Sequence, residues 1–292
     1  MEHTTIGRRI FMIINTVLLL GFGFICLYPM YYVVMASFSD ANQLMAFRGF
    51  LWMPINANIE SYRAIVKNKM LFTGYANTLF VVGVSLLLNI TMTSIGAYFL
   101  SRKNLMLKKA VMIYILITMY FSGGIIPLYL TVKNLGLYNS IWSLIIPAAV
   151  NTYNLVIMRT SFEAIPDSLV EAALIDGAGH IQILIKIILP LAKATVAVMV
   201  LYYGVAHWNS WFNAMLFLND RAKFPLQLVL REILIQNDTS AMTQGGGLTD
   251  TINIAKTIKY AVIVVSTVPI LCVYPFLQKY FAKGALVGAV KG

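Results

Sequence analysis

The chain has 292 residues, of which 59% are hydrophobic and only 11% are charged, and its formal net charge is +11. Its mean hydropathy of +0.77 lies well above that of soluble globular proteins, so the composition excludes an ordinary soluble fold and places the chain in a lipid bilayer. In a membrane protein an excess of Lys and Arg reports first on orientation, so the charge is no argument for nucleic-acid binding.

Six apolar stretches are each long enough to cross a bilayer as a helix, because about 20 residues span a hydrocarbon core ~30 Å thick. The predicted spans are 10–36, 76–99, 110–131, 140–158, 188–207 and 260–281. The first is about twice the length of a signal-peptide apolar region and has no clear cleavage site, so we expect a permanent span. The predicted fold is an all-α membrane protein with six transmembrane helices.

Orientation follows from the short connection 101–109, which has four basic residues and no acid and is therefore predicted to face the cytoplasm. These residues are Arg102, Lys103, Lys108 and Lys109. Both termini then lie on the same cytoplasmic side, and the long connections 37–75 and 208–259 face outward.

The predicted organisation has three parts. Residues 1–75 form an N-terminal segment with the first span and an outer loop, residues 76–282 form a core of five spans, and residues 283–292 form a cytoplasmic tail.

Several classes of site lack the residues they need. The sequence has no Gly-x-x-x-x-Gly-Lys-Ser/Thr loop, so we expect no ATP hydrolysis by this chain, and it has neither a Gly-x-Ser-x-Gly elbow nor a His-Glu-x-x-His pair. Cys26 and Cys272 lie in predicted spans, and the three histidines are scattered. We therefore predict no enzyme, no metal site and no cofactor bound by this chain.

A stand-alone, ion-coupled carrier is a weaker alternative. Such carriers usually place carboxylates at mid-membrane, whereas all eleven acidic residues here fall in predicted loops or termini. Lys193 is the one clear charge inside a span, and it lies near the cytoplasmic end, where its side chain can reach the interface.

The cytoplasmic segment 163–190, between the fourth and fifth spans, interrupts this apolar pattern. Its sequence "FEAIPDSLVEAALIDGAG" begins a short helix at Pro166, and Ser168 and Glu171 fit a capping box. Gly177 and Gly179 allow the chain to turn before "HIQILIKIILP" resumes helical character. The segment is therefore predicted to be a helix-turn-helix.

One face of this short helix is predicted to be small and apolar, since such residues recur at i, i+3, i+4 and i+7. They are Val170, Ala173, Leu174 and Gly177. The polar residues are acidic, which is unlike a helix that lies on anionic lipid. They are Asp167, Glu171 and Asp176. We therefore expect this helix to dock into a groove of a protein partner that presents basic residues.

The same segment fills every position of a long, gapped signature. The positions are Glu171-Ala172-Ala173, then Gly177 after three residues, Ile187 after nine more, and Leu189-Pro190 after one more. In this it resembles the EAA motif of permease subunits of type I ATP-binding-cassette importers. The stretches "HWNSWFNAMLFLNDRAKFPL" and "FLQKYFAKGALVGAVKG" are similar to the carbohydrate-uptake branch.

This resemblance implies that the helix in 163–190 is a coupling helix, seated in a cleft of a cytoplasmic ATPase. The residues implied to couple to the ATPase are Glu171, Ala172, Ala173, Asp176, Gly177 and Ala178. The implied partners are a second permease subunit, expected to be a different chain, two ATPase subunits that bind ATP and Mg, and an extracytoplasmic solute-binding protein. The implied location is the bacterial inner membrane.

A translocation path through spans with so few charges must use hydroxyls, amides and aromatic rings, which suits a neutral sugar. Candidate residues are Asn89, Tyr120, Asn151, Tyr153, Asn154, Tyr203, Trp208 and Asn209. For each of them helix packing or an interfacial aromatic belt is the alternative role. A non-sugar solute such as an amino acid or a phosphonate is also open, and the loop 236–252 either reaches an external binding protein or is a plain connector.

Overall fold

The computed structural model describes residues 6–103, 106–235 and 257–272, together with Pro275. Within these ranges the regular structure is entirely helical, as predicted. The loop 236–252 and the tail 283–292 of the sequence predictions lie outside the described residues. The chain divides into two compact units, Met1–Lys69 with Glu232–Val268, and Met70–Arg231 with Pro269–Gly292.

The first unit contains one long helix and two short ones, α1 (Ile6–Ser37), α2 (Ala41–Ala46) and α3 (Glu60–Lys67). Helix α1 has 32 residues and is about 48 Å long, more than a bilayer core requires. Most of its side chains are exposed, as expected of an apolar helix that faces lipid, and the last residues, Ala36 and Ser37, are buried. The Asp40 carboxylate accepts hydrogen bonds from the Asn42 and Gln43 amides and so caps α2.

The second unit begins within the 33-residue helix α4 and continues through a series of shorter helices. In order, the remaining helices of the described residues are α4 (Lys69–Ser101), α5 (Lys108–Tyr120), α6 (Ile125–Asn134), α7 (Trp142–Ile145), α8 (Thr152–Glu163), α9 (Asp167–Ile175), α10 (His180–Ile183), a π-helical turn (Leu184–Ile188), α11 (Leu189–Leu191), α12 (Lys193–Trp208), α13 (Phe212–Phe217), a 3₁₀ turn (Arg221–Lys223), α14 (Leu226–Ile235) and α15 (Thr257–Cys272).

The core of the second unit lies where α4, α8, α9 and α12 meet the π-helical turn. Fully or nearly fully buried side chains from these five elements and from α10 make one continuous apolar cluster, which includes Ala97, Met158, Phe162, Val170, Ala173, Ile183, Ile188 and Met199. Two of these residues belong to the short helix α9, so α9 is packed on the bundle rather than standing apart from it.

The structure confirms the first two predicted spans as long helices and interrupts others. Among the described residues, α1 and α4 are the two helices long and apolar enough to cross a membrane alone. The predicted span 110–131 is wrong as a single helix, because α5 and α6 meet at 110° where Gly124 adopts a φ of +87°.

The fourth and fifth predicted spans are also broken. The stretch 140–158 is interrupted between α7 and α8, where Pro147 cannot continue a helix. The helical segment His180–Leu191 meets α12 at 88°. If each bent pair counts as one span, the described residues hold up to four, and the total of six stays a prediction.

The close packing of α4 against the start of α14 can be tested at Gly74. A Cβ added there would lie 3.2 Å from the Leu226 Cα, a backbone atom that cannot move aside, so Gly74→Leu should lower stability by about 1–3 kcal/mol. Thermal unfolding in detergent should show a lower Tm. Gly83 on the same helix has open space around its Cα, and Gly83→Leu is the control. Equal Tm values for the two variants would contradict the packing described here.

Candidate functional site

Helix α9 begins differently from the sequence prediction. Its N-cap residue is Pro166, which makes no side-chain capping hydrogen bond, so the predicted capping box of Ser168 and Glu171 is wrong. The helix therefore starts two residues earlier than a Ser168 cap would place it. Asp167 lies in the first turn instead, where the positive end of the helix dipole stabilises its carboxylate.

The end of α9 agrees with the prediction of a turn at Gly177. The Gly177 amide donates to the Leu174 carbonyl at 3.0 Å, and the Ala178 amide donates to the Ala173 carbonyl at 2.9 Å. These two bonds form a Schellman motif, which requires a left-handed residue, and Gly177 has a φ of +81°. Gly179 needs no such freedom, and its amide donates to the Gln182 side-chain oxygen.

The two faces of α9 have different surroundings. Val170 and Ala173 are only 5% and 8% exposed and pack in the core cluster of the second unit. The sequence prediction assigned this face to a protein partner, and for these two residues that prediction is wrong. Spacing alone cannot distinguish a face that binds a partner from one that packs on the chain's own helices.

The opposite face of α9 is formed by four residues at i, i+3, i+4 and i+7, all of them exposed. They are Ser168, Glu171, Ala172 and Ile175, the last with 86% of its surface exposed. Of the other predicted coupling residues, Asp176 and Gly177 are exposed at the turn, and Ala178 is partly buried. The outward face is thus small and mixed, with one carboxylate and one large apolar side chain.

Two carboxylates, one at the start of α9 and one shortly before it, bind cations of the predicted connection 101–109. Asp167 Oδ2 lies 2.6 Å from Lys103 Nζ, and Arg102 Nη1 lies 4.0 Å from Asp167 Oδ1. These contacts lower the pKa of Asp167, chiefly through the hydrogen bond from Lys103, and raise the pKa of Lys103. Asp167, one of the three acidic residues predicted to face a basic partner, therefore pairs with cations of its own chain.

Glu163 is the second of these carboxylates. Its Oε1 accepts from Lys108 Nζ at 2.7 Å and from Arg159 Nη2 at 2.6 Å. Partial burial raises the pKa of Glu163, but the two hydrogen bonds and the neighbouring positive charges outweigh burial, and the pKa is lowered overall. Sequence reasoning missed Glu163 and Arg159. The sequence did offer one signal for these pairs, because the basic connection 101–109 and the acidic segment 163–190 are predicted to lie on the same side of the membrane.

A third contact joins α4 to the residue that follows the α9 turn. The Tyr98 hydroxyl lies 3.0 Å from His180 Nδ1, and the Arg102 guanidinium lies over the Tyr98 ring, 4.9 Å from its centroid. The last turn of α4 therefore contacts the segment after α9, through His180, and the residues that follow α4 contact the beginning of α9, through Asp167.

The eight candidate path residues separate into two groups. Four are buried in the second unit, namely Asn89, Asn154, Tyr203 and Trp208. Four are exposed, namely Tyr120, Asn151, Tyr153 and Asn209. Only the exposed group can contact a solute without rearrangement, and its role in a path stays a prediction.

Asn89 stabilises the break between α7 and α8. Its side-chain nitrogen donates to the Ala148 and Ala149 carbonyls at 2.6 and 2.9 Å, and its oxygen lies 2.9 Å from His207 Nε2. Because the two carbonyls fix the direction of the amide, His207 Nε2 must be the donor to Asn89. The amide satisfies carbonyls that the interrupted helix leaves free, which is essential in an apolar environment.

Tyr203 satisfies a backbone amide at the same helix break, as Asn89 satisfies two carbonyls. Its hydroxyl accepts from the Asn151 amide at 3.0 Å and lies 2.8 Å from Thr93 Oγ1. Asn151 in turn caps α8, because its side-chain oxygen accepts from the Asn154 amide at 3.1 Å. Two of the four buried candidates, Asn89 and Tyr203, thus hold the helix break in place.

Comparison with known proteins gives a consistent family. A profile described as "Binding-protein-dependent transport system inner membrane component" matches residues 89–287. The polygalacturonan/rhamnogalacturonan transport system permease protein YtcP of Bacillus subtilis (strain 168) is 41% identical over 98% of this chain and 99% of its own length. Protein LplC of the same organism is 39% identical over 99% of this chain and 98% of its own length.

A solved structure is also similar. It is described as the crystal structure of a bacterial ABC transporter involved in the import of the acidic polysaccharide alginate. One of its chains matches with a TM-score of 0.88 and 32% identity, over 96% of this chain and 100% of that one.

Removal of the Asn89 amide tests its part at the helix break. Asn89→Leu leaves two carbonyls and the His207 ring without this partner, so the free energy of unfolding should fall by about 1–3 kcal/mol. Unfolding of the purified chain in detergent measures this. Asn209→Leu, at an exposed position on the end of α12, should leave stability unchanged. A Tm for Asn89→Leu equal to that of Asn209→Leu would show that the network is dispensable.

Proposed function

The chain belongs to the binding-protein-dependent transport system inner membrane component family, in the carbohydrate-uptake branch of type I ATP-binding-cassette importers, and from this membership we propose its specific part. It forms half of the translocation path and pairs with a second, different permease chain. Two ATPase subunits, which bind ATP and Mg, attach on the cytoplasmic side. An external solute-binding protein delivers the cargo.

The observation that supports coupling through α9 is the contrast between its faces. Val170 and Ala173 fix the helix on the bundle, and the exposed face formed by Ser168, Glu171, Ala172 and Ile175 remains free for a partner. Ala172 permits close approach, Ile175 offers apolar area, and Glu171 suits a basic group on the ATPase.

The mechanism we propose is mechanical. Closure of the ATPase pair moves α9, and α8 and α12 tilt with it until the cavity faces outward. Helices α8 and α12 are already joined by the Ser161 and Thr195 hydroxyls, which lie 2.8 Å apart. The proposed mechanism places α9 on the cytoplasmic side. That orientation requires both termini in the cytoplasm, and six spans are the simplest arrangement that satisfies it.

An acidic oligosaccharide is the cargo we favour over the neutral sugar expected from span composition. Two similar proteins are named for polygalacturonan/rhamnogalacturonan and for the acidic polysaccharide alginate. In this chain the helices α4, α5, α8 and α12 contain a single acid, Glu163, and it is bound to two cations. A path with so few fixed negative charges would not repel uronate groups.

Docking is tested by enlarging Ala172. Ala172→Trp places a large ring on the exposed face, where nothing in the second unit hinders its folding, so the chain should insert normally and recover about tenfold less ATPase on co-purification, a loss of ~1.4 kcal/mol. Ala46→Trp, at an exposed alanine of α2 predicted on the outer side, is the matched control. Full recovery of the ATPase with Ala172→Trp would refute docking through this face.

Cargo class is tested in the complete importer with its binding protein in proteoliposomes. Oligogalacturonides should stimulate ATP hydrolysis and uptake, whereas maltooligosaccharides of equal length should stimulate less. Stimulation by neutral sugars alone would restore the neutral-sugar prediction. Stimulation by an amino acid or a phosphonate alone would indicate a non-sugar importer, and uptake by this chain without an ATPase would indicate a secondary carrier.

A further inference from the structure

Lys108 and Glu163 occupy positions that local helix energetics disfavours. Lys108 is the first residue of α5, where the helix dipole is positive, and Glu163 is the last residue of α8, where it is negative. Each charge alone would destabilise its own helix end. The 2.7 Å contact between them offsets both costs, so the pair, rather than either helix, accounts for these residues.

Arg159 strengthens the same contact from within α8. It lies one turn before Glu163, and its Nη2 is 2.6 Å from the same carboxylate oxygen that Lys108 reaches. The side chains of Lys108, Arg159 and Glu163 are each less than one third exposed. Partly buried, hydrogen-bonded charges interact more strongly than exposed ones, so this contact is more than a surface ion pair.

Asp167 makes the second connection, to the end of α4. Lys103 and Arg102 reach it from the residues that follow α4, and Arg102 is itself held over Tyr98. Tyr98 also reaches His180 on the far side of the α9 turn. Helix α9 is therefore bracketed by contacts to a helix with which it has no close chain connection.

Packing and ion pairing constrain α9 differently. The apolar contacts of Val170 and Ala173 hold α9 against the bundle, because separating them would expose buried surface to water, but they are non-directional and do not select which helix follows a displacement of α9. Charge-assisted hydrogen bonds oppose separation and so transmit a pull as well as a push.

We propose that Glu163 and Asp167 are positioning residues that transmit the displacement of α9 to α4 and α5, so that these two helices follow the coupling helix when the ATPase moves it. The inference rests on the proposed coupling through α9. Apart from these contacts, α9 is joined to α8 and to the α10–α12 segment through the chain, and to the bundle through the apolar packing of Val170 and Ala173.

The test is the ratio of ATP hydrolysed to solute imported by the complete importer in proteoliposomes. Glu163→Gln and Asp167→Asn should each raise this ratio by about threefold or more while the ATPase still co-purifies. Lys108→Gln should act in the same direction. The double variant Lys108→Gln with Glu163→Gln should equal Glu163→Gln alone, because the second change removes a partner that is already lost.

The control is Lys109→Gln, which neutralises the exposed neighbour of Lys108 and should leave the ratio unchanged. If Glu163→Gln fails to fold, Lys103→Gln is measured in its place and should also raise the ratio. The Lys103 side chain is 80% exposed, so its loss does not disturb the core. A normal ratio in an assembled Asp167→Asn or Glu163→Gln complex would overturn the inference, as would additive effects in the double variant. Failure of the ATPase to bind the unaltered chain would instead contradict the proposed function.

Discussion

The burial of Val170 and Ala173 is the constraint on which the arrangement of α9 and its surroundings depends. Helix α9 has only nine residues, too few to be stable alone, and these two side chains fix it on the core of the second unit. Once they are buried, the opposite face must point away. The same placement brings Asp167 to the cations that follow α4, so the exposed face of α9 and the internal ion pairs both follow from one packing contact.

A second constraint acts within the bundle, where helices are interrupted in apolar surroundings. Each interruption frees backbone groups that water cannot reach, and each needs a polar side chain from a neighbouring helix. Asn89 supplies donors for two carbonyls, and Tyr203 supplies an acceptor for one amide. Some polar residues in these spans thus serve to satisfy backbone groups, and fewer of them are left to contact a solute.

The sequence predicted the parts that depend on local chemistry. Long apolar runs gave α1 and α4, and a glycine after a short amphipathic helix gave the turn at Gly177, because only a left-handed residue completes that hydrogen-bond pattern. What failed depends on tertiary contacts. Hydrophobicity averaged over a window cannot detect a bend near Gly124, and helical spacing cannot tell that Val170 faces its own chain. The contact between Glu163 and Lys108 joins residues 55 positions apart, and nothing local specifies it.

The π-helical turn Leu184–Ile188 has a consequence for comparing this protein with its relatives. Ile183 and Ile188 are both fully buried although five residues separate them, a spacing that would place them about 140° apart on a regular α-helix. The wider turn accommodates one additional residue per helical cycle and so resets the angular register of everything downstream. A chimera joined within this turn, with one residue gained or lost, would present α12 to the bundle rotated by roughly 100°, even if every amino acid in it were unchanged.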